Sequence, residues 1–200
     1  MALQPSGQGG TNWSPMPYSP ETGYFYVPGS IRTSVFERFP RPYRRGHVYK
    51  SGSQEAAEDT PLRGTVTAID SRTNRIAWQQ KMPYRMGGGS GSSVTAGGLL
   101  FRGEPDGNFV AVDALTGKVL WKFQPGFGAD APPIVYKVDS EQYVAIVTGG
   151  NSIQRSATGD AVWSFSLNGD VGPAWWPPTL PPTGLGVGLY WRIRSALLSI

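Results

Sequence analysis

Residues that could do chemistry by themselves are scarce in this sequence of 200 residues. It contains no cysteine, so disulfides, zinc fingers, thiol catalysis and covalent haem attachment are excluded within the chain. The single histidine, His47, has no second histidine with which to build a metal cluster or a catalytic triad. The motifs GxSxG, HExxH and GxxxxGK[ST] are absent as well. We therefore expect no self-contained catalytic site.

A run of glycine and serine at 87–93, GGGSGSS, has the composition of a phosphate-binding loop. It follows no β-α unit and carries no lysine, so the sequence favours a flexible connection over a nucleotide site. Asp70 and Asp113 could in principle form an acid–base pair. They occupy equivalent positions in an internal repeat, however, which favours a structural role in a turn.

That repeat identifies the elements that must position any site. Residues 64–78 read GTVTAIDSRTNRIAW and residues 107–121 read GNFVAVDALTGKVLW, 43 positions later. A period of about 40–50 residues that ends on tryptophan is typical of the blades of a β-propeller. A partial third copy, GDAVWSF, lies at 159–165, and a diverged fourth, YSPETGYFY, lies at 18–26.

Within each copy, apolar and polar residues alternate with period two, which predicts two strands joined by a tight turn. Gly117 and Asn74 occupy the turn position at which a positive φ is needed. The tryptophan that ends each of the two full copies, Trp78 and Trp121, can fill the gap between neighbouring sheets. We expect one full blade over about 92–123, and a second that begins near Pro133, ends with Trp163–Leu167 and lacks its fourth strand.

The composition supports an all-β fold. The chain has 27 glycines and 18 prolines, 12% aromatic residues and only 16% charged residues. Residues 1–167 are predicted to form a partial β-propeller of about three four-stranded antiparallel blades, with 29–60 as a loop insertion. A role of that loop as a lid or a partner contact is left open. Residues 168–200 begin with a proline-rich run and are predicted to be an extended or disordered tail.

The net charge of +4 comes largely from a basic cluster inside 29–60. No groove-reading helix or zinc motif accompanies it, so we expect a solvated loop and no nucleic-acid partner. Residues 1–10 are polar, which predicts no signal peptide in this chain. The apolar stretch 184–189 is too short to span a membrane.

The segments GGTNWSPMPYSPETGYFYVP (9–28), TAGGLLFRGEPDGNFVAVDALTGKVLWKFQPGFG (95–128) and EQYVAIVTGG (141–150), together with the repeat, resemble the C-terminal region of the pyrroloquinoline-quinone (PQQ) dependent alcohol dehydrogenases. That family includes the methanol and ethanol dehydrogenases. The resemblance implies an eight-bladed propeller with PQQ near its axis and Ca²⁺ or a lanthanide as Lewis acid. It also implies oxidation of a primary alcohol, electron transfer to a cytochrome c, and a periplasmic location.

The resemblance also suggests site residues. Asn12 and Trp13 match the Asn-Trp pair that the family places at the cofactor, and Gly150, Asn151 and Ile153 match a loop that contacts it. The structural alternatives are that Asn12 caps a turn, that Trp13 is an inter-blade aromatic and that 148–153 is an ordinary loop. Gly89 lies where the family often has a tryptophan, which questions the usual wall of the substrate pocket.

The family's metal ligands and catalytic aspartate lie upstream of the region that this chain resembles. We therefore assign no catalytic residue and no metal ligand, and expect the chain to be inactive without the remaining blades. Two other interpretations stay open. One is a non-catalytic propeller that serves as a protein-binding scaffold, and the other is a truncated gene product. The Asn12–Trp13 motif favours the enzyme family, because a scaffold has no need of it.

Overall fold

The computed structural model describes residues 1–57, 63–87, 89–152, 154–174 and 192–195. Within these ranges the secondary structure consists of strands and turns, without a helix. In chain order the strands are β1 (Ala2–Leu3), β2 (Tyr18–Ser19), β3 (Tyr24–Ile31), β4 (Ser34–Arg38), β5 (Gly52–Ala56), β6 (Arg63–Asp70), β7 (Arg75–Met82), β8 (Ser92–Val94), β9 (Leu99–Gly103), β10 (Phe109–Asp113), β11 (Val119–Phe123), β12 (Ile134–Val138), β13 (Glu141–Thr148), β14 (Ala161–Phe165) and β15 (Arg192–Ser195).

The strands form three four-stranded sheets, each with the form of a propeller blade, and one three-stranded sheet. The first blade has the order β2-β3-β6-β7, the middle blade β11-β10-β9-β8 and the last blade β12-β13-β14-β15. All pairings are antiparallel except that of β14 with β15, which is parallel. The middle blade spans Ser92–Phe123, the range expected from the sequence.

The last blade differs from the expectation in its fourth strand. The sequence showed no partner for the final apolar residues, yet β15 pairs with β14 from Ala161 opposite Arg192 to Ser164 opposite Ser195. A parallel partner is not visible in the sequence, because no tight turn links such a pair. The rest of the proline-rich tail beyond residue 174 lies outside the described residues, and the proposed domain boundary at residue 167 stays a prediction.

The segment 29–60 was predicted to be an insertion, and the chain does leave the first blade after β3 and return to it at β6. Strands β3 and β6 are direct neighbours, from Tyr24 opposite Asp70 to Ile31 opposite Arg63. Between them, β4 and β5 pair with each other, and β1 adds to β4. These three strands form a separate sheet, which we call the side sheet, with an exposed loop between β4 and β5.

The turns of the repeat have the chemistry that the sequence predicts. Gly117 has a φ of 78° and Asn74 has a φ of 56°, both in the left-handed region. Asp113 accepts a hydrogen bond from the backbone N–H of Thr116, and Asp70 accepts one from that of Arg72, each at 2.8 Å. The two repeated aspartates therefore stabilise turns.

Aromatic residues fill the gaps between blades, as the repeat predicts. Trp78 of the first blade donates from Nε1 to the carbonyl of Ala114 in the middle blade at 3.0 Å. Trp121 of the middle blade packs edge-on against Phe165 of the last blade, with ring centroids 5.6 Å apart. The core between the middle and last blades is built from large buried side chains, among them Phe101, Phe109, Phe123, Ile146, Trp163 and Phe165.

Candidate functional site

The Asn12–Trp13 pair lies in the loop before β2. The side-chain amide of Asn12 donates to the carbonyl of Gln8 at 2.9 Å, and its Oδ1 accepts from the backbone N–H of Trp13 at 2.9 Å. Asn12 is exposed, and Trp13 is 66% exposed. The amide therefore braces its own loop while the indole ring faces solvent, and Nδ2 retains a second hydrogen that it can donate.

The next residue connects this loop to the interior. Ser14 is buried, and its hydroxyl accepts a hydrogen bond from the backbone N–H of Gly89 at 3.2 Å. Gly89 is closely surrounded: a Cβ there would lie 2.7 Å from Nδ2 of Asn151, which would have to move, and 3.4 Å from the carbonyl oxygen of Asp130. Segments that are far apart in the sequence thus meet at one glycine.

The loop after β13 reaches the same place. Gly150 has a φ of 70°, and its N–H donates to the carbonyl of Gly128 at 3.0 Å. The backbone N–H of Asn151 donates to Oγ of Ser156 at 2.7 Å, which closes the loop on itself. Ile153, the third residue predicted in this loop, lies outside the described residues.

The sequence analysis missed Asp130, which lies in the same cluster. Asp130 is 5% exposed, and the hydroxyl of Ser156 donates to its Oδ2. Its Oδ1 is buried and has no hydrogen-bond donor among the described residues. Burial raises the pKa of this carboxyl to about 6, and the hydrogen bond from Ser156 opposes that rise only in part.

A signal for Asp130 exists in the sequence, because it is the only charged residue between Lys122 and Lys137. Other buried polar groups of this region also have no partner among the described residues: Oγ of Ser90 and both amide atoms of Gln154. Buried polar atoms are normally hydrogen-bonded, so unpartnered ones need a ligand, a water molecule or further protein. We call the set Ser14, Gly89, Ser90, Asp130, Asn151, Gln154 and Ser156 the polar cluster.

A buried ion pair helps to hold the backbone next to the polar cluster. Arg102 at the end of the middle blade bonds Oε1 of Glu104 through Nη2 at 2.8 Å and through Nε at 3.1 Å, and both residues are almost fully buried. The hydroxyl of Tyr84 donates to Oε2 of the same carboxylate at 2.6 Å. Burial, and then the charge of Glu104, raises the pKa of Tyr84 above its ordinary value. The backbone carbonyl of Glu104 in turn accepts from the N–H of Ala129 at 3.1 Å, which fixes the residue before Asp130.

Comparison with known proteins identifies the family. A family model described as the glucose/ethanol/alcohol dehydrogenase β-propeller domain, of the PQQ type, matches residues 1–144. The chain belongs to this family. The quinoprotein alcohol dehydrogenase PedE of Pseudomonas putida is 34% identical over 186 residues, which cover 86% of this chain and 28% of that protein. The quinone-dependent 1-butanol dehydrogenase of Thauera butanivorans is 35% identical over 185 residues, which cover 82% of this chain and 28% of that protein.

Solved structures confirm the fold class. A europium-containing methanol dehydrogenase superposes with a TM-score of 0.66 at 34% identity, over 74% of this chain and 26% of that one. The quinohemoprotein alcohol dehydrogenase ADHIIG of Pseudomonas putida HK5 superposes with a TM-score of 0.65 at 30% identity, over 74% of this chain and 23% of that one. The molecule is therefore a partial propeller that is not closed, and it spans little more than a quarter of the length of these relatives.

Two structural observations bear on metals and membranes. Among the residues that the structure describes, no three His, Cys, Asp or Glu side chains gather closely enough to hold a metal ion. In the same residues, no helix is long and apolar enough to cross a bilayer.

Proposed function

We propose that this chain forms part of the cofactor wall of a periplasmic PQQ-dependent alcohol dehydrogenase, which oxidises a primary alcohol and passes electrons to a cytochrome c. The observation that carries the proposal is the convergence at Gly89. Ser14, one residue beyond Trp13, bonds the backbone of Gly89, and the amide of Asn151 lies 2.7 Å from the point where a Cβ of Gly89 would stand. Both segments that resemble the family's cofactor contacts therefore meet around one point in the fold.

The residue types fit a planar, carbonyl-rich anion. The side-chain amides of Asn12 and Asn151 can donate to its carboxylate or carbonyl oxygens, and the exposed ring of Trp13 can cover its flat face. Gly150, with its positive φ, lets the backbone approach closely. We include Ile153 as a further wall residue. The chemistry that PQQ supplies when bound is the acceptance of electrons from the alcohol.

Asp130 fits such an anion only when its carboxyl is neutral. An ionised carboxylate beside an anionic ligand would repel it, whereas a protonated carboxyl can donate a hydrogen bond. The raised pKa of about 6 makes the neutral form accessible in mildly acidic solution. We therefore propose that Asp130 and Ser156 do not contact the cofactor directly. They hold the loop 150–156, and with it Asn151, in place.

We propose that the metal ligands, for Ca²⁺ or a lanthanide, and the catalytic base come from the rest of the enzyme. A Lewis acid at the quinone carbonyl would make it a better electron acceptor. One relative is named a lanthanide-dependent methanol dehydrogenase, from Methylacidiphilum fumariolicum, and is 35% identical over 152 residues. The chain by itself is then inactive: PQQ and Ca²⁺ added to it should give neither alcohol oxidation nor saturable quenching of tryptophan fluorescence.

The direct test is a chimera. Residues 1–174 of this chain replace the matching part of the Pseudomonas putida relative, of which the match covers 28%. We expect PQQ binding and dye-linked oxidation of a primary alcohol by the chimera. A folded chimera that binds no PQQ would contradict the proposal, and strong binding by the isolated chain would contradict the claim that its site is incomplete.

Single substitutions in the chimera test the wall. Asn151→Ala should weaken PQQ binding about ten-fold or more, since a hydrogen bond to a charged group contributes about 1.5–3 kcal/mol. Gln79→Ala is the matched control, because its amide lies on an exposed strand and bonds Thr67 within the first blade. Equal losses for the two variants would remove Asn151 from the site.

The alternative function is a non-catalytic propeller that binds other proteins. It is favoured by the amide of Asn12, which already bonds Gln8 and Trp13 within its own loop. Asn12→Ala in the chimera separates the two functions. A loss of PQQ affinity without a loss of stability supports the enzyme, whereas a loss of stability alone supports the scaffold.

A further inference from the structure

The loop between β4 and β5 is strongly basic. Residues 38–50, which we call the basic loop, contain five cations and no acidic residue: Arg38, Arg41, Arg44, Arg45 and Lys50. Every residue of the basic loop is exposed. It projects from the side sheet and not from a blade, so it takes no part in the polar cluster.

None of these cations forms an ion pair within the part of the chain that the structure describes. The ion pairs among the described residues are Arg72 with Asp70 and Arg102 with Glu104, and neither involves the basic loop. Five positive charges within thirteen residues repel one another, so an anionic surface would lower their energy.

Apolar side chains stand among the cations. Val48 is 87% exposed and Tyr43 is 71% exposed, while Phe39 and Tyr49 are each about half exposed. The rings of Tyr43 and Tyr49 meet edge to face, with centroids 6.1 Å apart. Exposed apolar groups are costly in water, and aromatic residues are enriched where a protein meets the interfacial region of a bilayer.

The basic loop also forms a concave site. A cavity of about 280 Å³ is lined by Arg41, Arg44, His47, Val48, Tyr49 and Lys50. Its cationic and aromatic lining suits a phosphate group, which guanidinium and ammonium groups bind through charge-assisted hydrogen bonds. Val48, an apolar residue of the same lining, suits a ligand that carries a hydrocarbon portion.

We propose that the basic loop binds the surface of a bilayer that contains anionic phospholipids, with a headgroup phosphate in the cavity and with Tyr43 and Val48 in the interfacial region. An acidic protein or a nucleic acid would neutralise the same cations, but it would gain little from the aliphatic side chain of Val48. A bilayer interface accommodates cations and apolar side chains side by side. This inference is independent of the alcohol dehydrogenase function, because it involves neither the cofactor wall nor the other blades.

Co-sedimentation with lipid vesicles tests the inference on the chain as it stands. We expect it to pellet with phosphatidylcholine vesicles that contain phosphatidylglycerol and not with vesicles of phosphatidylcholine alone, after subtraction of a vesicle-free blank. Binding should weaken as salt is raised, because the Debye length falls to about 8 Å at physiological ionic strength. Equal binding to both kinds of vesicle would overturn the proposal.

A matched pair of variants separates the basic loop from general positive charge. Arg44→Ser with Arg45→Ser should weaken binding about 30-fold, since each cation near an anionic surface contributes about five-fold. Lys118→Ser with Lys122→Ser removes the same charge from exposed positions of the middle blade and should change binding less than about two-fold. Similar losses for the two pairs would refute a role for the basic loop.

Further arms identify the partner. Val48→Ser should weaken vesicle binding about ten-fold in a manner insensitive to salt, because it removes the apolar contribution. Polyglutamate, duplex DNA and inorganic phosphate serve as competitors. Weak competition by all three supports a lipid surface. Efficient displacement by polyglutamate or DNA would overturn the proposal in favour of that partner, and displacement by inorganic phosphate at low concentration would show a site for a free anion.

Discussion

One strand of the middle blade and one strand of the last blade are alike in composition and different in burial. Strand β10, FVAVD, is buried at four of its five positions, whereas β12, IVYKV, is exposed at all five. Both are rich in apolar residues with high β propensity. Among the described residues, buried clusters join the middle blade to the first blade on one side and to the last blade on the other. Strand β10 also lies inside its sheet, whereas β12 is an edge strand. Burial in this fold is therefore set by a strand's place among its neighbours and not by its own sequence.

The polar cluster lies where these two blades are joined. Asp130 is in the connection between β11 and β12, and Asn151 and Ser156 are in the connection between β13 and β14. The junction thus combines a rigid side, supported by the buried pair of Arg102 and Glu104, with loops that carry unpartnered polar atoms.

Truncation of a side chain should give the largest difference in stability between the middle and last blades. Phe109 is fully buried and packs against Phe101 and Phe165, with ring centroids 6.0 and 5.2 Å away. We expect Phe109→Ala to lower the free energy of unfolding by about 3–5 kcal/mol in urea denaturation. Ile134→Ala, on the 61% exposed side chain of β12, should cost less than about 1 kcal/mol. Comparable losses would mean that β12 is covered in solution.

The junction should respond to pH through Asp130. Folding raises the pKa of its carboxyl from 3.8 to about 6, so its contribution to stability is full below pH 4 and is lost as pH rises through 6. The expected loss between pH 4 and 7 is about 2–3 kcal/mol, measured by urea denaturation at each pH. Asp130→Asn should remove this dependence.

Asp113 provides the opposite control. Hydrogen bonds from the Thr116 hydroxyl and backbone N–H lower the pKa of its carboxyl, so its contribution is present at neutral pH and is lost as pH falls through the lowered value. Asp113→Asn should therefore flatten the acid side of the profile and leave the loss near pH 6 in place. A profile in which Asp130→Asn still loses stability near pH 6 would assign that titration to another group.

Close packing at the junction should tolerate no added methyl group. A Cβ on Gly103 would clash with the carbonyl oxygen of Ala129, whereas a Cβ on Gly97 would meet its nearest atom, Oγ1 of Thr95, at 3.7 Å. Gly103→Ala should destabilise the protein by about 1–3 kcal/mol, because backbone must shift to relieve the clash. Gly97→Ala should change stability by less than about 0.5 kcal/mol. Thermal melts of both variants measure the two effects. A neutral Gly103→Ala would show that the two blades do not pack this closely.

Removal of one tyrosine hydroxyl should give the smallest difference in stability between the blades. Tyr26 of the first blade is fully buried, and its hydroxyl donates to the carbonyl of Ala114 in the middle blade at 3.0 Å. Tyr26→Phe removes this hydrogen bond and the one with Thr22, while the carbonyl of Ala114 keeps its bond from Trp78, so the change should cost about 1 kcal/mol. Tyr143 of the last blade bonds Glu141 in a half-exposed setting, so Tyr143→Phe should cost clearly less than Tyr26→Phe. The inverse order would contradict the contrast between the blades.

The local features of the fold were predictable because they depend on neighbours in sequence. The period of the repeat locates the strands of the middle blade, and Gly117 and Asn74 mark the turns of the middle and first blades, since few residues accept a positive φ. The parallel pairing of β15 and the side sheet of β1, β4 and β5 were not predictable. They depend on contacts between residues far apart in the chain, for which no local pattern exists.

The candidate site was predictable only in outline. Resemblance to a family pointed to Asn12, Trp13, Gly150, Asn151 and Ile153, and four of the five lie within the described residues. Asp130 was not singled out, because one acidic residue in an uncharged stretch does not reveal whether water reaches it. Its burial and its bond to Ser156 follow from the way in which three connections fold against Gly89.

The sequence by itself determined the strand period, the turn chemistry, the tryptophans that lie between blades and the family. These properties follow from steric limits on φ and from the alternation of side chains along a strand. The tertiary structure alone decided which apolar strands are buried, that Asn151 and Ser14 meet at Gly89, and that Asp130 is held out of water with a raised pKa. Burial and its electrostatic consequences depend on what packs around a residue, and those neighbours come from distant parts of the chain.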